Sequence, residues 1–194
     1  MRRQNGLGLL ELVIIVAIIA IIALCAAPSF GSYRRRASVV SQANELREIF
    51  RAVRSRAIAR SNHAGVKFVR SGEQWTYALY DDGDGDGIRT DDINSGIDPR
   101  YAGPKVLTQF HLAAIALLPY PIRDPDGDPL PPTSSPVQFN RSTICSFAAS
   151  GTGTPGTIYI TDGGGELYAV RVHGASGRVR ILRYDGGRKR WERQ

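Results

Sequence analysis

Leu12-Val13-Ile14-Ile15-Val16-Ala17-Ile18-Ile19-Ala20-Ile21-Ile22-Ala23-Leu24-Cys25-Ala26-Ala27 holds no polar side chain beyond one cysteine thiol. Extending the run back to Leu7 adds a single charge, Glu11. A helix of about 20 residues crosses a ~30 Å hydrocarbon core, so the run from Leu7 is long enough to span a bilayer. Arg2 and Arg3 precede it and the bulk of the chain follows. The positive-inside bias then places the N-terminus in the cytoplasm and the remainder outside. A cleavable secretory signal would have an apolar region of ~7–15 residues closed by a small-residue cleavage site. This run is longer and carries an acid near its start.

The chain has 194 residues and a formal net charge of +7. Beyond the apolar run it is Gly-rich and charged, the make-up of one soluble globular domain. It shows no internal repeat. The two cysteines are poorly placed for each other, Cys25 in the apolar run and Cys145 deep in the remainder. Both read as small buried hydrophobes rather than as a disulfide.

The residues Asn5-Gly6-Leu7-Gly8-Leu9-Leu10-Glu11 resemble the N-terminal signal of type IV prepilins and pseudopilins. In that family a prepilin peptidase cuts after a glycine, and a glutamate stands fifth in the mature chain; Gly6 and Glu11 have that spacing. The resemblance implies that Leu7 becomes the N-methylated terminus, where the family more often has phenylalanine. Pro28 falls where these proteins commonly kink their long helix. A lone carboxylate in an apolar segment needs a partner or a function. Cleavage creates an amine one turn away, so in a helical bundle Glu11 of one subunit meets the terminal amine of the next, offsetting both desolvation costs. The alternative is a glutamate snorkelling toward headgroups.

After Pro28 the spacing of Val39, Ala43, Leu46, Phe50, Val53 and Ala57 predicts an amphipathic helix. Arg47, Arg51 and Arg54 lie beside the stripe as a solvated face. Past Asn62 the pattern turns to short β-rich runs. Val66 to Val69 and Trp75 to Tyr80 flank Ser71-Gly72 as a hairpin. Further strands are expected at Val106 to Leu112, Val137 to Asn140, Thr157 to Thr161, Leu167 to Val172 and Arg178 to Tyr184. Helix first and antiparallel strands after is an α+β arrangement. The remainder also resembles the GspH/FimT family of minor pseudopilins and minor pilins. Val137-Gln138-Phe139, Gly156-Thr157-Ile158-Tyr159 and Gly174-Ala175-Ser176-Gly177-Arg178-Val179-Arg180 carry that likeness. The Pro-rich stretch Pro119 to Pro136 reads as a local elaboration.

Asp81-Asp82-Gly83-Asp84-Gly85-Asp86-Gly87, followed by Asp91 and Asp92, is the most distinctive polar motif. Carboxylates recur at alternate positions, the way Ca²⁺ loops place oxygen ligands around a sharp turn. The EF-hand pattern then fails, because no glutamate closes the loop. On this reading Asp82, Asp84, Asp86 and Asp91 or Asp92 are Ca²⁺ ligands; otherwise the segment is an acidic turn. Asp124, Asp126 and Asp128, broken by prolines, read as a surface loop. Near the C-terminus, Arg178 and Arg180 share one face of a strand by period-two alternation. Arg183, Arg188, Lys189, Arg190 and Arg193 follow, with Tyr184 and Trp191 among them. Basic groups with aromatics can hold phosphates and stack bases. Gly177-Arg178-Val179-Arg180 also matches a Gly-Arg-x-Arg motif linked to DNA uptake in some FimT-like minor pilins.

Enzyme signatures are missing from the sequence. Gly151-Thr152-Gly153-Thr154-Pro155-Gly156 formally fits a dinucleotide loop, but a strand is expected after it where a helix is required. His63, His111 and His173 have no metal-ligand spacing, and Ser176 sits in no nucleophile elbow. The expected organisation is a leader at 1–6, a transmembrane assembly helix at 7–28, its amphipathic continuation at 29–62, and a β-rich periplasmic domain at 63–194. The resemblance implies a non-enzymatic inner-membrane subunit that partners other pilin or pseudopilin subunits, a prepilin peptidase and an inner-membrane assembly platform. Its machine is either type II secretion or a pilus and competence system that handles DNA.

Overall fold

The computed structural model describes residues 8–72, 74–107 and 112–194, with the side chains of 23–30 and 32 left aside. Gly6 and Leu7, the expected cleavage pair, and the side chains of Cys25 and Pro28 lie outside the described residues. One long helix, α1 (Leu9–Arg60), is the first described element and runs on through Pro28, where a kink was expected. The helix ends two residues before the expected boundary at 62. Ser61, in the left-handed region at φ 50°, turns the chain out and donates its N–H to the last carbonyls.

The two halves of α1 live in different surroundings. Along Leu9 to Ile22 the large apolar side chains are exposed, Leu9 by 82 % and Ile22 by 62 %. From Val39 onward the predicted stripe is buried: Val39, Ala43, Leu46, Phe50, Val53 and Ala57 are all at 0 %. Among the described residues no helix is long and apolar enough to cross a membrane. The described apolar stretch rises only ~20 Å at 1.5 Å per residue, and the side chains that would extend it are among those left aside.

Behind the helix stand two antiparallel sheets. The first orders β3 (Arg100–Val106), β2 (Gln74–Asp81), β1 (Ala64–Ser71) and β7 (Ile144–Phe147). The second orders β11 (Arg190–Arg193), β10 (Arg178–Asp185), β9 (Leu167–His173), β8 (Gly156–Thr161) and β6 (Val137–Phe139). A two-stranded pair, β4 (Ile122–Arg123) with β5 (Pro129–Leu130), and a short helix, α2 (Thr90–Ser95), complete the described elements. This is the α+β architecture expected from sequence.

The buried stripe of α1 packs on both sheets, and Phe50 sits where they meet. Its ring lies edge-on to Phe68 of β1 at 6.0 Å and to Phe139 of β6 at 5.8 Å, while Phe68 and Phe139 stack with 10° between planes. Such aromatic pairs add about 0.5–1.5 kcal/mol beyond the area they bury. Cys145 is buried in this core as a hydrophobe, and burial raises its thiol pKa well above the ordinary range.

Three departures from expectation have local causes. A strand that sequence reading did not anticipate runs over Arg100–Val106, meeting the one expected at Val106 to Leu112 only at Val106; residues 108–111 lie outside the described residues. As the edge of its sheet β3 tolerates a proline without N–H. Arg54 is not simply solvated: it reaches across the core edge and donates from Nε to the carbonyl of Gly151 at 2.9 Å. The Pro119–Pro136 elaboration is also packed, which the sequence did not show. Leu118, Ile122 and Leu130 close a second core with Tyr159, Leu167, Ala169 and Tyr184, covering part of the sheet face turned away from α1.

Candidate functional site: the stem, the acidic loop and the basic face

Glu11 stands in the first turn of α1, exposed among Leu9, Leu10, Leu12 and Val13. The free N–H groups of a helix start favour a carboxylate there. The structure therefore leaves an acid on an apolar stem whose described large side chains are exposed.

The acidic loop is more ordered than a run of repelling carboxylates would be. Asp82 is buried, and its Oδ1 accepts the N–H groups of Asp84 (3.1 Å) and Gly85 (2.7 Å). Its Oδ2 accepts the N–H of Gly87 at 2.9 Å and lies 3.1 Å from His63 Nδ1. Burial pushes the Asp82 carboxyl up, but the N–H donors of Gly85, Gly87 and Asp84, with His63, outweigh it and hold the group below the usual carboxylate range. Asp98, buried to 1 %, closes the other end by accepting the N–H groups of Gly83 and Arg89. Gly83 is required by close approach, since a Cβ there would stand 1.9 Å from the Ile97 carbonyl oxygen.

Asp82, Asp84 and Asp86 each bring one oxygen within 4.8 Å of the others, as the Ca²⁺ reading needs. Asp91 and Asp92 do not join that group; both lie in the first turn of α2. Asp86 already pairs with Arg89. Its carboxyl is shifted upward by local desolvation and by Asp84 and Asp92, with Arg89 opposing. A carboxylate has about four acceptor positions, and those of Asp82 are taken by three backbone N–H groups and His63. A cation at the trio would therefore engage Asp84 and Asp86 in competition with Arg89.

The basic face is assembled by strand register. Arg178 lies opposite His173 and Arg180 opposite Arg171 across β9 and β10, and Leu182 lies opposite Arg193 across β10 and β11. Period-two alternation puts all of these on the face turned away from α1. Arg178 and Arg180 are exposed, and among the described residues neither is in an ion pair. Arg171 is held by Asp126 from the covering segment, a contact that raises its pKa further. Three of the other basic residues are engaged: Arg183 forks onto Glu166, and Arg188 and Arg190 share Glu192. Tyr184, buried in the second core, and Trp191, half-buried against it, pack on each other at 5.3 Å, and Trp191 Nε1 donates to the Arg123 carbonyl at 2.9 Å.

A support that sequence reasoning missed lies beneath Gly177-Arg178. A Cβ on Gly177, which has φ +58°, would stand 2.1 Å from the Gly151 carbonyl oxygen and 2.8 Å from Arg54 Nε. The helix arginine, the Gly151 loop and the β9–β10 turn thus lock together, and only glycine fits the contact. The Gly151–Gly156 stretch leads into β8, not a helix, so it forms no dinucleotide loop. The Ser176 Oγ and His173 Nδ1 contact, 3.1 Å, closes the same turn.

A family model described as type II transport protein GspH matches residues 42–177. A second, described as the prokaryotic N-terminal methylation motif, matches residues 1–26 and so spans Gly6, Leu7 and Glu11. No curated protein and no solved structure matches the chain. The first match ends at Gly177, immediately before Arg178.

Proposed function

We propose a function from one premise: the chain belongs to the type II transport protein GspH family. It is a pilin-like subunit, and the finer reading is a minor pseudopilin of a type II secretion system. A prepilin peptidase cuts between Gly6 and Leu7. The stem of α1 holds the subunit in the inner membrane, N-terminus cytoplasmic and β-domain periplasmic, until the assembly platform moves it into a short pseudopilus that serves protein export. The observation that carries this reading is the division of α1. The same helix buries Val39 to Ala57 in its own domain and leaves Leu9 to Ile22 uncovered. An exposed apolar surface of that extent marks a lipid or protein contact. In the membrane lipid covers it; in the filament the stems of neighbouring subunits do, with Glu11 meeting a neighbour's terminal amine. Co-expression with a prepilin peptidase tests the first step. The chain should lose the mass of residues 1–6, and Gly6→Ala should abolish the loss; an unprocessed wild-type chain overturns the reading.

A second reading, a DNA-binding minor pilin, is favoured by one observation: Arg178 and Arg180 are exposed, side by side, and outside any ion pair among the described residues. With Tyr184 buried and both arginines exposed, contact would be mainly with phosphates, so binding should fall steeply with salt. The full chain in detergent, titrated with duplex DNA, should lose binding with Arg178→Glu and Arg180→Glu while keeping its fold. Absence of binding at low salt leaves export as the function.

A further inference from the structure

Between the exposed apolar stretch and Val39, α1 carries Tyr33, Arg34, Arg35 and Arg36. The loop from β8 to β9, Asp162-Gly163-Gly164-Gly165-Glu166, comes up beside them. Together they line an open cavity of about 460 Å³, formed by Tyr33, Arg35, Arg36, Asp162, Gly164 and Glu166. Both carboxylates are already engaged. Asp162 Oδ1 accepts the N–H groups of Gly164 (2.8 Å) and Glu166 (3.0 Å), while its Oδ2 lies 3.8 Å from Arg35 Nε. Glu166 is forked by Arg183 at 3.0 and 2.8 Å. Arg36, exposed, is in no ion pair among the described residues. The cavity is therefore left with an uncompensated positive charge. Its glycine wall presents backbone and no bulk, which leaves room for a compact anion.

Position along the helix selects which anion. Arg35 and Arg36 follow the end of the apolar run at Ala27 by ~12–14 Å of helix rise. The polar layer outside the hydrocarbon core is about 5–8 Å deep on each side. Helical side chains lean toward the helix N-terminus, and an arginine is long enough to reach back from here toward the polar layer. Tyr33, 70 % exposed, stands one step closer, where interfacial aromatics collect.

We propose that this cavity seats the phosphate of a phospholipid headgroup in the periplasmic leaflet, with Arg36 as its main donor and Arg35 beside it. Guanidinium forks match phosphate oxygens in geometry and charge. The proposal rests on the membrane reading of the stem given above. It makes the head–stem junction a lipid-reading element, released when the subunit leaves the bilayer.

Native mass spectrometry of the full chain, released from detergent after titration with phosphatidylglycerol, tests it, with vesicle flotation read in parallel. The wild-type chain should retain phosphatidylglycerol, and Arg36→Glu should lower retention by at least about fivefold, the weight of one interfacial basic residue. The melting temperature should stay unchanged, since Arg36 is exposed and in no ion pair among the described residues. Undiminished retention in Arg36→Glu, with flotation intact, overturns the headgroup site alone. Equal binding of inorganic phosphate overturns the lipid assignment. A wild-type chain that does not float with vesicles removes the membrane reading and this proposal with it.

Discussion

Asp82 shows how one residue can be legible in sequence for its chemistry and misread for its role. Alternating acids and glycines announce an oxygen-rich loop, but they do not tell which carboxylate faces the backbone. Here the first of the series turns inward and collects the N–H groups of Asp84, Gly85 and Gly87. Replacing it by Asn turns an acceptor oxygen into an amide that faces donors. The expected cost is about 1–3 kcal/mol, or a melting temperature lower by about 3–10 °C for a domain of this size, measurable by thermal unfolding at neutral pH. The pH dependence follows from the depressed carboxyl. Its contribution is present above the unfolded-state pKa of about 4 and is lost as pH falls through the lower folded value. Wild type and Asp82→Asn should therefore converge in stability in acid; a constant gap down to pH 2 would contradict the assignment. A millimolar-Ca²⁺ titration checks the ion reading separately, since a cation held by Asp84 and Asp86 raises the melting temperature of wild type and not of an Asp84→Asn, Asp86→Asn pair. Asp98 and Arg54 could not have been found by pattern, because their partners lie 9 to 97 residues away along the chain.

Secondary-structure elements were legible wherever periodicity was sustained. Six apolar residues at spacings of three and four announced the buried face of α1, and all six are at 0 % exposure. The hairpin of β1 and β2 and the strands β8, β9 and β10 could be read as short β-rich runs set off by turns. What could not be read was short or non-local. Ile144–Phe147 offers four residues, too few to distinguish from a loop, and becomes β7 only by pairing with Ala64 to Lys67. The covering segment has no period at all, because its apolar residues are selected by the sheet they lie on. Two substitutions separate the cores. Phe50→Ala, at the junction of both sheets, should cost about 3–5 kcal/mol and unfold the domain as a unit. Leu130→Ala, in the second core, should cost about 2–5 kcal/mol; hydrogen exchange should rise first around 112–136 and β11, with β1 and β2 still protected. Equal loss of protection throughout would mean that the two cores form one cooperative block.

For the whole molecule, the stem and the domain make independent demands. Glu11 is exposed and, among the described residues, in no ion pair, so Glu11→Ala should leave thermal unfolding unchanged and yet keep the subunit out of filaments, scored by fractionating sheared surface material. Normal entry of Glu11→Ala into filaments would sink the assembly role. The organisation into apolar stem and β-rich head was plain from the sequence alone. The basic face depended on register, which only the folded sheet supplies. One mechanical consequence follows from α1 being a single element, Leu9–Arg60. A subunit that is hauled out of a lipid layer or squeezed along a growing fibre is loaded parallel to this rod. The rod is glued to the domain along its side, from Val39 to Ala57, over ~27 Å of rise. Traction is thus borne in shear by many side chains at once instead of by peeling at one end, and shear is the direction in which interlocked surfaces hold best.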